Sequence, residues 1–404
     1  MTSYIYRCTQ CQKQFNRGEV RYLCPQCGAM YTPGIPLPGV LEAVFDYEEV
    51  RRRLDPGNPD WTLLSAVEPE HFPAFAVGRT PLTGVERLGK GLGLPHLFVK
   101  NDGLNPSGSL KDRASFLVAA EALRLGERRI VAASTGNAAS ALAAVCAAAG
   151  LEALIFVPEK APKAKLVQML LFGATVVTVK GSYDDAFRLS LEYTAARGGL
   201  NRNTAYHPLT IEGKKTVSLE IFDQLGAKAP DAVVVPVGDG VILGGVHKGF
   251  LDLLRLGFID RVPRLIAVQA ERSDAIHRYF TSGPYSDASD PATVADSISV
   301  RCPSNAHGAV RALRESAGLS VTVSDTAILE AQARLARATG IFAEPAAAAA
   351  LAGLERIQQG AGALPSSARV VLLATGHGLK DIEAPLGRIR IPEPVEPILS
   401  AVKV

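Results

Sequence analysis

The chain has 404 residues, of which 47% are hydrophobic and 21% are charged, and its formal net charge at pH 7 is +3. These values are typical of a globular enzyme with two or three domains, and the small net charge argues against a protein that binds nucleic acid or a membrane surface. The start, MTSYIYRCTQ, lacks the apolar segment of a secretory signal, and polar residues interrupt the most apolar stretch, residues 138–157. We therefore expect a cytoplasmic protein with neither a nucleic-acid nor a membrane partner.

The first predicted element is a metal-binding ribbon. Cys8, Cys11, Cys24 and Cys27 form two CxxC pairs. Two such pairs are typical of a tetrahedral zinc site, and the alternatives are a pair of disulfides or a chance spacing. A reducing compartment disfavours the disulfides. Because four thiolates would fill every position around the metal, we expect the zinc to be structural.

After the ribbon, the chain continues through a Pro/Gly linker (YTPGIPLPGV) and a short charged helix (YEEVRRRL) into alternating strands and helices. Strands are predicted at LPHLFVKND, GERRIVAAS, LEALIFVP, ATVVTVKG, DAVVVPVG, RLIAVQA and ARVVLLATG. Helices are predicted at AASALAAVCAAAG, AKLVQMLLFG, DDAFRLSLEYTAARG and DTAILEAQARLARATG. Short apolar runs that alternate with amphipathic helices predict an α/β fold with a parallel sheet covered on both faces.

Three predicted strands end in turns rich in glycine and hydroxyl residues, where α/β folds place their chemistry. The turns are STGN at 134–137, GDG at 238–240 and TGHG at 375–378. Backbone N–H groups at the start of the following helix bind anions, and glycine permits their close approach. Lys111 lies in a loop of turn residues, NPSGSLKDR, before an apolar helix. A lysine that faces two anion-binding turns suits a Schiff base with pyridoxal phosphate.

The motifs NPSGSLKDR, STGNAAS, PVGDG, EPAAAAA and ATGHGLKD, in this order, resemble the motif series of the threonine synthase family. The resemblance covers about residues 78–381, and it implies two open, twisted parallel-sheet lobes of the tryptophan synthase β-subunit type (PLP fold type II). We expect a zinc ribbon (residues 1–35), a linker and N-terminal helix (36–77), a large PLP-binding lobe (78–120 and 205–390), a small α/β lobe (121–204) and a C-terminal tail (391–404).

The resemblance also implies roles for single residues. Lys111 matches the catalytic lysine that forms the Schiff base, Asn137 the partner of the pyridine hydroxyl, and Thr375 the partner of the pyridine nitrogen. The resemblance implies that the cofactor phosphate is bound by Gly238, Asp239, Gly240, Val241 and Ile242. It implies that the substrate carboxylate is bound by Ser134, Thr135 and Gly136.

The sequence departs from the family mainly where the substrate phosphate is expected. Leu110 replaces an aromatic residue, and Ala138 replaces a threonine. The turn at residues 238–242, which is expected to bind the cofactor phosphate, carries the carboxylate of Asp239 where the family has asparagine. The arginine expected near residues 203–216 is not evident. We therefore expect Asn203, Thr204 and Lys215 to contact the substrate, with His207 and Lys214 as further candidates.

Two enzyme functions remain open, and both use a small amino-acid substrate. The first is threonine synthase, which converts O-phospho-L-homoserine and water to L-threonine and phosphate. The second is a paralogue that performs β-elimination or β-replacement on another amino acid, as in a serine/threonine ammonia-lyase or a cysteate synthase. A nucleic-acid-binding ribbon is the non-enzyme alternative, but the ribbon holds few basic residues. We expect a homodimer, although no residue pattern specifies one.

Overall fold

The computed structural model describes residues 3–402, apart from residues 33, 160, 162, 361, 388 and 390. Parts of the predicted domains therefore lie outside this description, namely residues 1, 2 and 33 of the ribbon, 160 and 162 of the small lobe, 361, 388 and 390 of the large lobe, and 403 and 404 of the tail.

The strands of the described residues form three sheets. Their bounds are β1 Tyr4–Cys8, β2 Gln14–Asn16, β3 Leu41–Phe45, β4 Leu82–Gly84, β5 Leu97–Asn101, β6 Arg129–Ala133, β7 Glu152–Pro158, β8 Thr175–Val179, β9 Leu200–Asn201, β10 Ala232–Pro236, β11 Arg264–Ala270, β12 Leu319–Val323 and β13 Val370–Ala374. The spatial orders are β2-β1-β3, β12-β11-β10-β13-β5-β4 and β8-β7-β6-β9.

The α-helices cover the sheets and connect their strands. Their bounds are α1 Pro25–Gly28, α2 Tyr47–Arg53, α3 Glu86–Gly91, α4 Lys111–Leu125, α5 Asn137–Ala149, α6 Lys163–Leu171, α7 Tyr183–Arg197, α8 Leu209–Gln224, α9 Val241–Leu256, α10 Ala275–Ser282, α11 Ala306–Glu315, α12 Asp325–Thr339, α13 Pro345–Gln358 and α14 Glu383–Leu386. Among the described residues, no helix is long and apolar enough to cross a membrane.

Two of the sheets have the parallel arrangement that the sequence predicts. Every neighbouring pair in the four-stranded sheet is parallel. In the six-stranded sheet only the edge pair β4–β5 is antiparallel. The central strands β10 and β13 are buried along their whole length, as expected for apolar strands with helices on both faces. The predicted fold class is therefore confirmed.

The strands of the four-stranded sheet fall between residues 129 and 201, and those of the six-stranded sheet fall on either side of that stretch. We propose the same division into a small and a large lobe as the sequence suggests. The strands and helices predicted from single apolar runs are confirmed. The sequence reasoning did not recognise the three-stranded sheet, α8, β12 or α13. Helix α8 gives no clear amphipathic pattern because Glu212, Lys214 and Lys215 are buried beside its apolar residues.

The backbone of helix α8 lies almost in contact with the backbones of α4 and α9. A Cβ atom at Gly213 of α8 would lie 2.2 Å from the carbonyl oxygen of Arg113 in α4. A Cβ atom at Gly249 of α9 would lie 2.4 Å from the carbonyl oxygen of Lys215 in α8. Only glycine fits at such contacts. This packing brings the starts of α4 and α9 to one side of the large sheet.

Candidate active site

A cavity of about 710 Å³ lies beyond the carboxyl ends of β6, β10 and β13. Its volume is within the range of cofactor and substrate pockets, and its position is the usual one for ligand sites in α/β folds. The structure brings together at this cavity the following predicted cofactor and substrate residues: Lys111, Ser134, Thr135, Gly136, Asn137, Thr204, Gly238, Asp239, Gly240, Val241, Ile242 and Thr375. Asn203 and Lys215, and the further candidates His207 and Lys214, are not among its lining residues.

Lys111 is the first residue of α4, and the loop before it is fixed to the end of β13. The N–H of Leu110 donates to the carbonyl oxygen of Thr375 at 2.9 Å, and Ser109 forms an antiparallel bridge with Gly376. The lysine and the threonine, which are far apart in sequence, are therefore held in one place by backbone hydrogen bonds. The positions of these two residues in the cavity do not depend on their own side chains.

The surroundings of Lys111 favour its neutral amine. Burial lowers the pKa of Lys111, and the nearby Arg202 charge lowers it further, whereas the carboxylates of Asp239 and Glu344 act in the opposite direction. A lysine with a lowered pKa is a better nucleophile and proton acceptor at neutral pH than a solvated one. This is the property expected of a lysine that reacts with a carbonyl group.

The turn at residues 238–242, which we call the phosphate turn, has little room for side chains. A Cβ atom at Gly238 would lie 2.9 Å from the Cα of Ile298. Gly240 has φ +80°, and a Cβ atom there would lie 2.9 Å from the carbonyl oxygen of Asn305. The turn leads directly into α9, whose first N–H groups have no partner within the helix. The phosphate turn is therefore suited to bind an anion through its backbone.

The carboxylate of Asp239, which a phosphate would repel, is held by Ser304. The N–H and the hydroxyl of Ser304 both donate to Asp239 Oδ1 at 3.0 Å. The N–H of Asn305 donates to the carbonyl oxygen of Asp239 at 3.0 Å. These contacts explain how the turn carries a carboxylate where the family has asparagine.

Glu344 lines the cavity and binds Asn137, a contact that the sequence reasoning did not foresee. The amide nitrogen of Asn137 donates to Glu344 Oε1 at 2.9 Å and to Oε2 at 3.0 Å. Burial raises the pKa of Glu344, while the hydrogen bond from Asn137 and the charges of Lys111 and Lys380 oppose that rise. The motif EPAAAAA, in which Glu344 is the only ionisable residue, was the available signal.

The comparisons with known proteins agree with this geometry. The family described as "Pyridoxal-phosphate dependent enzyme" matches residues 74–376. The threonine synthase of Methanosarcina acetivorans is 34% identical over 408 residues, which cover 99% of this chain and 98% of that protein. The threonine synthase of Mycobacterium tuberculosis strain H37Rv is 35% identical over 367 residues, which cover 90% of this chain and 95% of that protein. The chain belongs to the threonine synthase family. Its cofactor is pyridoxal phosphate.

Solved structures of other members of the wider fold family are also similar to this chain. Maize serine racemase matches with a TM-score of 0.64 at 22% identity, over 74% of this chain and 88% of that one. A fungal L-serine ammonia-lyase from Rhizomucor miehei matches with a TM-score of 0.65 at 23% identity, over 74% of this chain and 94% of that one. Both likenesses concern the fold alone. The fold expected from the sequence is therefore confirmed for this threonine synthase family member.

The residues of the cavity fit pyridoxal phosphate. The phosphate turn offers backbone donors that would hold the phosphate, and Gly238 and Gly240 let it pack against residues 298–309. Lys111 places an amine at the same cavity, which would attach the cofactor, and Thr375 and Asn137 place a hydroxyl and an amide there. In this threonine synthase family member, the donor types at the cavity therefore fit the polar groups of the cofactor.

The Ser134–Gly136 turn is ordered by local hydrogen bonds. The N–H of Ser134 donates to the carbonyl oxygen of Phe156 at 3.2 Å, and the N–H of Gly136 donates to Ser134 Oγ at 3.3 Å. Because Ser134 and Thr135 line the cavity beside the first residue of α5, their hydroxyl groups are available as donors to a carboxylate.

Two predicted substrate residues lie away from the cavity lining. Asn203 donates from its amide to Ser190 Oγ at 2.7 Å and accepts from the N–H of Ala133 at 2.7 Å. Lys215 is 2.6 Å from Glu212 Oε2 and 2.9 Å from Asp252 Oδ2. Both side chains are therefore engaged in contacts between secondary-structure elements. Neither has a free polar group directed at a ligand.

The segment after the ribbon contributes an unexpected wall of the cavity. Tyr31, Gly34, Ile35 and Leu37 line it, although the sequence reasoning assigned this stretch to the ribbon and linker. The N–H of Leu37 donates to the carbonyl oxygen of Ser304 at 3.0 Å. The N-terminal part of the chain is thus joined to the residue that holds the carboxylate of the phosphate turn.

The four ribbon cysteines are brought to one point. Their sulfur atoms all lie within 4.8 Å of one another, and the sulfurs of Cys11 and Cys24 are 3.7 Å apart. Tetrahedral zinc with Zn–S bonds of about 2.3 Å places its sulfurs roughly 3.8 Å apart. A Cβ atom at Gly39 would lie 2.9 Å from the Cβ of Cys27, so the linker packs closely on the cluster. The four thiols therefore fit a metal ion.

Proposed function

We propose that this protein is a threonine synthase that converts O-phospho-L-homoserine and water to L-threonine and phosphate. The observation that carries the proposal is the cavity in which the amine of Lys111 meets the phosphate turn, Asn137 and Thr375. The likeness to threonine synthases over almost the whole chain supports the choice of reaction. The β-elimination or β-replacement alternative rests on the departures from the family pattern, chiefly the missing arginine.

The proposal assigns each polar group of the cavity a ligand group. Residues 238–242 bind the cofactor phosphate through backbone N–H groups, and Asn137, held by Glu344, meets the hydroxyl of the pyridine ring. The hydroxyl of Thr375 meets the ring nitrogen. Unlike a carboxylate, a hydroxyl there does not enforce protonation of the ring, which suits elimination and replacement reactions rather than amino-group transfer. Ser134, Thr135 and Gly136 bind the substrate carboxylate.

Lys111 is the residue that moves protons. The bound cofactor supplies an electron sink for the amino acid's α carbon. With its amine free, Lys111 would take the proton from Cα and then a proton from Cβ of the substrate. Phosphate leaves Cγ, the hydroxyl of water is added at Cβ, and protons return to Cγ and Cα. The lowered pKa of Lys111 keeps a fraction of its amine free to accept these protons.

We further propose that Cys8, Cys11, Cys24 and Cys27 bind one structural zinc ion. Four thiolates leave no open coordination position, so the metal takes no part in the reaction. Free thiols are maintained in a reducing compartment, and we therefore propose a cytoplasmic location. The homodimer stays a prediction.

The test is a substrate panel. We would measure kcat/KM for O-phosphohomoserine, O-phosphoserine, serine and threonine, and follow phosphate release and 2-oxo acid formation in parallel. A threonine synthase releases phosphate from O-phosphohomoserine in a one-to-one ratio with threonine. No phosphate from this substrate, together with 2-oxo acid from another, would replace the proposal by the ammonia-lyase alternative.

A further inference from the structure

Two buried cations near the cavity lack a counter-ion among the described residues. Lys214 is 1% exposed, and its Nζ has no hydrogen-bond partner. Arg202 is also 1% exposed; its Nε donates to Ser115 Oγ at 3.1 Å, but its Nη2 has no partner. Buried cations without a counter-ion are costly, and proteins normally pair them. The charge of Arg202 lowers the pKa of Lys214, so the two groups are near each other, and an anion bound between them would offset both charges.

The packing of α8 on α9 directs Lys214 towards the phosphate turn. A Cβ atom at Gly245 would lie 2.7 Å from the Cβ of Lys214, and one at Gly249 would lie 2.7 Å from the Cβ of Ser218. Because these contacts advance in the same direction along both helices, α8 and α9 run parallel. A helical side chain leans towards the N-terminus of its own helix. The stem of Lys214 therefore runs towards the start of α9.

The length of a lysine matches the distance to be spanned. Gly245 lies four residues after Val241, the first residue of α9, and four residues of helix rise about 6 Å. The four-carbon stem of Lys214 covers about this distance, so its ammonium group reaches the level of the phosphate turn. Burial lowers the pKa of Lys214 well below its ordinary value, Lys111 and Arg202 lower it further, and Asp239 raises it. Lys214 therefore interacts electrostatically with both Lys111 and the phosphate turn.

Arg202 approaches the same place from the other side. Its partner Ser115 lies one helical turn after Lys111 on α4, so the two face the same way. Thr204, two residues after Arg202, lines the cavity. Neither Arg202 nor Lys214 lines the cavity itself, so both groups lie behind its wall. Lys111 and Arg202 lower the pKa of Lys214 and Asp239 raises it, so Lys214 lies within electrostatic range of all three.

We propose that Lys214 and Arg202 form a cationic site that binds a phosphate monoester dianion beside the phosphate turn. The proposal deepens the proposed function and rests on it, because both the cofactor and O-phosphohomoserine carry such a group. Two features of this chain call for extra positive charge. The phosphate turn carries apolar side chains at Val241 and Ile242 and a carboxylate at Asp239, and the family's substrate arginine is not evident.

The test replaces Lys214 by methionine, which keeps the length of the side chain and removes its charge. Apoprotein, prepared by removing the cofactor, is titrated with pyridoxal phosphate and separately with pyridoxal, which lacks the phosphate. Steady-state kinetics of the holoenzyme then give KM for O-phosphohomoserine and for serine. Lys90→Met, at an exposed lysine, is the matched control. Thermal unfolding of the apoprotein shows whether Lys214→Met folds, and Lys214→Gln is the second variant.

Loss of a charge-assisted contact should weaken binding of the phosphate-bearing ligand roughly ten- to hundred-fold. If the cofactor phosphate is bound, the affinity for pyridoxal phosphate falls while that for pyridoxal is unchanged. If the substrate phosphate is bound, KM for O-phosphohomoserine rises while cofactor affinity and KM for serine are unchanged. In either case Lys214→Met apoprotein unfolds at the same or a higher temperature, because an unpaired buried amine has been removed.

Three results would overturn the proposal: equal weakening of pyridoxal and pyridoxal phosphate, no change in either cofactor affinity or KM, or an apoprotein destabilised by Lys214→Met and by Lys214→Gln. Failure of the proposed function is recognised separately. In that case the wild-type enzyme releases no phosphate from O-phosphohomoserine, and the cofactor titration still tests the site.

Discussion

The amide of Asn137 is fixed by Glu344, which accepts from it with both carboxylate oxygens, at 2.9 and 3.0 Å. The two residues come from the starts of α5 and α13, which are covalently far apart but meet at the cavity. A Cβ atom at Gly376 would lie 2.3 Å from Glu344 Oε1, so the carboxylate occupies space that only glycine leaves free. The orientation of the Asn137 amide at the cavity therefore depends on two other motifs.

Replacing Glu344 by alanine should weaken cofactor binding through Asn137. We expect Glu344→Ala and Asn137→Ala each to raise the dissociation constant of pyridoxal phosphate, measured by titrating apoprotein and following the visible band. Each single variant already breaks the hydrogen-bonded unit. The double variant should therefore bind pyridoxal phosphate about as weakly as the single variant with the lower affinity, which corresponds to a coupling energy between the two residues of about 1.5–3 kcal/mol. Glu48→Ala, at an exposed glutamate, is the control. Additive effects would contradict the orienting role.

Lys111→Ala should abolish turnover without unfolding the protein. The lysine is proposed as both the covalent anchor and the proton carrier, so we expect kcat to fall by at least about 10³-fold. Borohydride should no longer attach the cofactor to the chain, as mass spectrometry of the intact protein would show. Lys90→Ala should retain both activity and attachment. Wild-type turnover by Lys111→Ala would refute the assignment.

Cys24→Ser should release the metal from the ribbon. Elemental analysis of protein purified without chelator should give one zinc per wild-type chain and less in the variant. We expect the melting temperature to fall, because Tyr4, Tyr6 and Phe45 of the three-stranded sheet belong to the main hydrophobic core. The visible cofactor band should persist. Cys146→Ala, at a buried cysteine outside the cluster, should keep the zinc.

The same variant should also weaken substrate binding, because Tyr31, Gly34, Ile35 and Leu37 line the cavity. We expect KM for the substrate to rise in Cys24→Ser and to stay constant in Cys146→Ala. An unchanged KM in a variant that has lost its zinc would mean that this wall keeps its position without the metal.

His207 should make the protein less stable in mild acid. Burial lowers its pKa to about 3, with further lowering by the charges of Arg21 and Arg202. The N–H of Leu209 donates to its Nδ1 at 3.2 Å, which places the ring proton on Nε2. The unfolded chain takes up a proton below pH of about 6.5, whereas the folded protein does so only near pH 3. Folding therefore becomes less favourable as the pH falls between these values.

At pH 5, His207 should lower the free energy of unfolding by about 2 kcal/mol, because each pH unit well below 6.5 lowers it by about 1.4 kcal/mol. Urea unfolding at pH 7.5, 6 and 5 would measure it. His207→Asn, whose amide oxygen can replace Nδ1 as acceptor, should remove this part of the pH dependence. His96→Asn, at an exposed histidine, should leave the dependence as it is. Equal slopes for His207→Asn and the wild type would contradict the prediction.

All of the residues that the sequence proposes for the cofactor line the cavity, whereas Asn203 and Lys215, proposed for the substrate, do not, and the reason is physical. Lys111, the phosphate turn and Thr375 lie in short contiguous motifs whose backbone shape follows from local glycines and strand ends. Lys215, by contrast, sits in a motif that resembles the family's, but it is paired with Asp252 on the next helix and lies 4.1 Å from the ring of Phe45. Such pairing depends on packing between distant segments.

Buried charge is the other feature that the sequence patterns did not predict. Lys214, Arg202 and Glu344 look like surface residues in the sequence, since charged side chains are rarely buried without a reason. The burial of Lys214 follows from the close packing of α8, in which Gly213 allows the backbone of α4 to approach. The sequence of α8 does not reveal which of its charged residues are buried. The helix is buried on nearly every side and therefore shows no clear amphipathic periodicity.

The hydrogen bond from Leu37 to Ser304 has a consequence for any shortened version of this enzyme. A chain that began after residue 40 would retain every residue proposed to touch the cofactor. It would also lose the hydrogen bond to Ser304, the residue whose N–H and hydroxyl both donate to the carboxylate of Asp239. The matched segment 74–376 by itself lacks this restraint, so we expect truncation of the N-terminal segment to change the electrostatics of the proposed anion site at a distance.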